Sequence, residues 1–147
     1  MIAVGALFGV LFLRSRPNPP DISLTQAIRS VSFGDGTSIS VTIAGTDAKR
    51  EQGLSDTSSL LPGTGMLFVF DTSGKYGFWM KDMQYPIDII WIDTDGRIIT
   101  VAPNVRPDTY PDTVFYPLVP ATYVLEVNAG FSALHRLETG QSISIIR

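Results

Sequence analysis

The chain has 147 residues, 44% hydrophobic and 17% charged, enough for one globular domain with a single core plus a short tail. A net charge of −3 and a pI near 4.9 exclude the basic surface that non-specific nucleic-acid binding needs. With no cysteine and one histidine, His135, the composition also excludes disulfides, thiol nucleophiles, and thiolate or multi-histidine metal sites.

Residues 2–13 are uncharged and apolar and are followed by Arg14 and Arg16. Twelve residues fall short of the roughly 20 that span a bilayer but match the apolar region of a signal sequence. We read residues 1–13 as an incomplete membrane anchor or signal; an apolar helix or strand packed on the domain is the alternative. Residues 14–29, with Pro17, Pro19 and Pro20, read as an extended linker, and residues 30–147 as a single domain.

Within that domain, Ser38–Ala44 alternates polar with apolar, as a half-buried strand does. Thr46 or Asp47 is placed to cap a helix over residues 48–54, with Gly53 near its end. Residues 55–65 are loop, 66–70 a buried strand and 72–75 a turn. Strands follow at 77–80 and Ile87–Ile92, interrupted at Pro86, which cannot donate to a ladder. Asp93-Thr94-Asp95-Gly96 is a hairpin turn leading to a strand at 98–102. The five prolines of residues 103–120 predict a long ordered loop. A strand at 122–128 puts Tyr123, Leu125 and Val127 on one face and Val124 and Glu126 on the other, and a short helix at 131–137 and a strand at 142–146 complete the chain. The sum is a mainly β fold: a compact, barrel-like β domain with two short helices, or alternatively an α+β arrangement on a curved sheet.

The stretch from Phe78 to Ile92 sets Trp79, Lys81, Asp82, Tyr85 and Asp88 among strand-forming apolar residues. Charges in such a setting must be paired or lie at a rim, so the segment reads as the wall of a groove. Arg50, Trp79, Lys81, Tyr85, Asp88 and Glu126 are the candidate binding residues. Asp88 and Glu126, both with apolar strand neighbours, are expected to be buried and held by a cation or by backbone amides, with Asp88 the costlier to remove. Met66, Met80 and Met83 suit core filling better than soft-metal binding, and no cofactor or metal is expected. No Gly-x-Ser-x-Gly elbow or phosphate-cradling glycine loop is present.

Four separated motifs carry a resemblance: Arg50-Glu51-Gln52-Gly53-Leu54, Gly65-Met66-Leu67-Phe68-Val69-Phe70, the stretch beginning Phe78-Trp79-Met80-Lys81, and Leu125-Glu126-Val127-Asn128-Ala129-Gly130. In their order and content the chain resembles domain-of-unknown-function family 192, whose core reads Phe-Trp-Met-Lys-Asn-Thr where this chain has Asp82 and Met83 in the last two places. The resemblance implies a compact β-rich fold in a prokaryotic family often exported or membrane-tethered, and implies no activity. The expected function is an extracytoplasmic, membrane-tethered, non-catalytic binding or accessory module of the envelope, taking a small polar ligand, sugar or peptide. A hydrolase acting on an envelope sugar or peptide through Asp88 and Glu126 is the alternative.

Overall fold

The computed structural model describes residues 30–146; the expected anchor and linker lie outside the described residues. Seven strands form one curled sheet: β1 (Ser30–Ser32), β2 (Ser38–Ala44), β3 (Thr64–Gly74), β4 (Ile87–Ile92), β5 (Ile98–Val105), β6 (Ala121–Asn128) and β7 (Ser144–Ile146), in the order β5-β4-β6-β3-β2-β1-β7. Helix α1 (Asp47–Gln52) links β2 to β3, the one parallel pair, which needs such a crossover. Thr46 caps α1, its hydroxyl accepting from the Lys49 amide at 3.3 Å. Helix α2 (Phe131–Leu134) lies between β6 and β7.

The mainly β, barrel-like architecture with two short helices is thus the observed one. Every strand sends one face to an inner core that includes Val31, Ile39, Leu67, Ile90, Ile98 and Leu125, with Ile145 of β7 packed on it. The sheet also bonds back towards its own far edge. Ile98 N–H donates to Gln141 O, Gly140 N–H to Ile98 O and Ile143 N–H to Gly96 O, each at 2.8 Å. A second core, on the opposite face, gathers Leu54, Phe68, Met80, Ile89, Trp91 and Val124 under α1 and the connecting segments. Because both faces of β4 are covered, all six of its residues are buried, which is why its sequence runs apolar rather than alternating.

Several local expectations are corrected. Residues 77–80 form no strand; Phe78 makes a single bridge to Phe115, and the chain then turns at Lys81-Asp82, with Asp82 at φ 57°. Asp tolerates this left-handed conformation better than most residues. β3 runs on through the expected turn to Gly74, shifting register against β6 after Val69. β5 extends past Pro103 to Val105 through a bulge opposite Asp88. The helix expected at 131–137 is shorter, and the short strand β1 lacked enough length to register as a pattern.

Gly96 is where the hairpin turn meets the returning chain. It has φ +81°, and a Cβ there would lie 2.7 Å from the Ile143 carbonyl oxygen. Gly96→Ala is therefore expected to cost about 2–4 kcal/mol, from left-handed strain plus overpacking. Gly36 has φ +87° with open space around it, so Gly36→Ala should cost only the strain. Paired thermal melts test this; equal losses in the two variants would show that the Gly96–Ile143 approach does not matter.

Candidate functional site

The two carboxylates among the six candidate residues lie on opposite faces of the sheet. In the β4–β6 pairing Asp88 stands opposite Val127 and Ile89 opposite Glu126. Asp88 and Val127 thus share the inner face, and Glu126 shares the outer face with Ile89 and Val124. The expected single groove containing both carboxylates does not form.

Asp88, fully buried, belongs to the scaffold. Its Oδ1 accepts from the Asn104 amide at 2.8 Å and the Gly130 amide at 3.1 Å. Oδ2 accepts from the Ser132 amide at 2.7 Å and the Ser132 hydroxyl at 2.6 Å. Gly130, at the N-cap of α2, has no side chain to cap that helix. Asp88 does so from across the fold, meeting amides that the helix itself cannot satisfy. The same carboxylate ties down the β5 bulge through Asn104. Backbone amides hold Asp88, as one branch of the sequence expectation had it.

Glu126 is the opposite case. It is 5% exposed, and its Oε2 is buried without a hydrogen-bond partner. Desolvation pushes its carboxyl up from 4.5 to about 8. Neither cation nor amide holds it, which corrects the expectation for this residue. β6 aims it, by simple alternation, at a cavity of about 280 Å³ that opens on the outer face.

Phe68, Phe70, Tyr76, Phe78 and Trp79 wall that cavity, with Leu54 and Met83 and the end of α1 from Arg50 to Gly53. Phe70 and Tyr76 stack with centroids 3.6 Å apart, and Phe78 meets Phe68 edge to face at 4.8 Å. The Arg50 guanidinium lies 5.2 Å from the Phe70 centroid, a cation over an aromatic ring. Arg50 donates to Gly45 O at 2.9 Å and Val69 O at 2.6 Å, and pairs with Asp47 at 2.6 Å. These contacts fix α1 over the sheet. Trp79, 53% exposed, leans edge-on against Tyr110 at the mouth, whereas Trp91 is fully buried and donates its indole N–H to Tyr76 O.

Of the candidates, then, Arg50, Trp79 and Glu126 line one cavity and Lys81, Tyr85 and Asp88 do not. Lys81 is exposed at a turn, where its carbonyl accepts from the Ser55 hydroxyl at 2.9 Å. Tyr85 packs on the outer core and shares a 2.7 Å hydrogen bond with Thr57. Tyr76 escaped sequence reasoning because it follows an apparent turn, outside any periodic segment. Among the described residues no group of three or more acidic or histidine side chains could hold a metal ion.

Each of the four motifs noted in the sequence reaches this cavity: Arg50 to Leu54, Phe68 and Phe70, Phe78 with Trp79 and Met83, and Glu126. No curated protein matches the chain. Among solved structures, the chain is similar to a protein of unknown function from Novosphingobium aromaticivorans DSM 12444. That match has a TM-score of 0.72 and 28% identity over 80% of this chain and 83% of that one. It is also similar to a protein from Sinorhizobium meliloti 1021, provisionally described as a transcription regulator, with a TM-score of 0.71 and 30% identity over 79% of this chain and 90% of that one. The family model DUF192, described as uncharacterized ACR, matches residues 30–145, and the chain belongs to that family.

Proposed function

We propose that this chain is a membrane-tethered, extracytoplasmic, non-catalytic binding module whose ligand occupies the cavity above Glu126. The observation that carries the reading is an unpartnered, buried carboxyl aimed into an aromatic-walled cavity to which all four family-like motifs contribute. Small-ligand sites have this composition: mostly apolar walls and a few placed polar groups. A buried polar atom without a partner costs folding free energy, and a ligand that supplies the partner recovers it. The apolar residues 2–13 and the proline-rich linker support the tether. Within the described residues no helix is long and apolar enough to cross a membrane.

The hydrolase reading through Asp88 and Glu126 loses Asp88, which lies on the other face with its oxygens occupied by α2 and the β5 bulge, and leaves only Glu51 of α1 on the lining with Glu126. A two-carboxylate mechanism needs both groups on one bond.

The protein purified from its native membranes under gentle conditions is expected to carry a small molecule, seen as added mass by native mass spectrometry and absent from Glu126→Leu. A C-terminal periplasmic reporter should be active in the same cells. Ligand-free protein with an active cytoplasmic reporter would overturn the proposal.

A further inference from the structure

The cavity holds a carboxyl whose buried Oε2 has no hydrogen-bond partner, among aromatic rings. We propose that it is a receptor site for a small organic ammonium cation, with Glu126 as the counter-ion. This rests on the cavity reading above and adds the sign of the ligand's charge.

Three observations point the same way. The first is hydrogen-bond supply. Glu126 Oε2 is buried without a partner, and an ammonium brings up to about three N–H donors to such a carboxylate. The second is the wall. Tyr76, Phe78 and Trp79 line the space beside the already stacked Phe70, and aromatic faces attract cations most strongly when the site is desolvated. The structure already uses this attraction once, since the Arg50 guanidinium stands over Phe70 at 5.2 Å. The third is the state of Arg50. Its guanidinium is bound to two backbone carbonyls and to Asp47, which holds it as a strut of α1 instead of an anion clamp.

The charges around Glu126 are few, and the one cation among them, Arg50, is engaged by two backbone carbonyls and Asp47. The ionisable groups on the cavity lining are Arg50 and Glu51 from α1 and Tyr76 after β3. The strands flanking Glu126 place Met66 and Ile89 beside it. Near neutral pH the empty site holds a protonated Glu126, so an arriving cation displaces that proton to solvent and forms the ion pair. Binding and proton release are one event.

The test is isothermal titration calorimetry on the full chain at pH 7, in two buffers of different ionisation enthalpy, with benzylammonium, benzoate and benzyl alcohol as probes. The indole N–H resonance of Trp79 serves as a reporter of place. Benzylammonium is expected to bind saturably, shift that resonance and release close to ~1 proton per ligand. Glu126→Gln should weaken it at least about tenfold, as loss of one partner of a desolvated charge pair does. Saturable binding of benzoate or benzyl alcohol at Trp79, with none by benzylammonium, would overturn the cation assignment and leave the cavity reading standing. Benzylammonium binding that is unchanged in Glu126→Gln also overturns it. No response to any of the three overturns both.

Discussion

Asp88→Ala is expected to lower the melting temperature by at least about 6 °C at neutral pH. The carboxylate accepts from three backbone amides and the Ser132 hydroxyl, and it is fully buried. Its removal strands those donors and uncaps α2, whose own N-cap residue, Gly130, offers nothing in exchange. Leaving a buried donor without an acceptor costs about 1–3 kcal/mol each, against a total of about 5–15 kcal/mol for a domain. Each kcal/mol is worth about 2–8 °C in a domain of this size class. Asp88→Asn should also fail to restore stability, because whichever way the amide turns, its NH2 faces N–H donors. A melt of Asp88→Ala within a few degrees of the parent would show that the carboxylate is not the clamp described.

Glu126→Gln is expected to do the reverse and to stabilise the protein above neutral pH. Burial raises the carboxyl from 4.5 to about 8. Between those values the folded chain keeps a proton that the unfolded chain has lost, so stability falls as pH rises through the window. Below about pH 4.5 both states are protonated and the effect vanishes. Above about pH 8 both are ionised and the full penalty is present, roughly 4–5 kcal/mol at ~1.4 kcal/mol for each pH unit between the two values. Glutamine has the shape of the neutral acid and cannot ionise. The variant should match the parent near pH 4.5 and out-melt it increasingly towards pH 8. A variant less stable than the parent at pH 8 would contradict the assignment.

The contrast between these carboxylates marks the limit of what the sequence made legible. Strand alternation placed Glu126 on the face opposite Leu125 and Val127, and the structure agrees. The apolar run Ile87–Ile92 announced a strand, and the structure buries it on both sides. Alternation along one strand does not give the register between two. Only the pairing of Ile89 with Glu126 reveals that Asp88 and Glu126 point apart. The chemistry that satisfies Asp88 is equally non-local: two of its donor residues, Gly130 and Ser132, come from more than forty positions away. Lys81 and Tyr85 looked like groove residues because 77–80 read as strand. Instead the chain turns at Asp82, exposing Lys81 and sending Tyr85 towards Thr57. The hydrophobic pattern found the cores, and the four motifs found the cavity, but which motif residue turned into it was settled by turns and bulges.

Everything proposed for the cavity depends on Glu126 being a buried acid with no partner, held in readiness at its base. A pH titration of the Glu126 side-chain carboxyl carbon by NMR in ligand-free protein, assigned with Glu126→Gln, reads that state without any ligand. A midpoint of about 8 is expected. A Glu126 midpoint near the ordinary 4.5 would contradict it, by showing a carboxylate that is solvated or already paired.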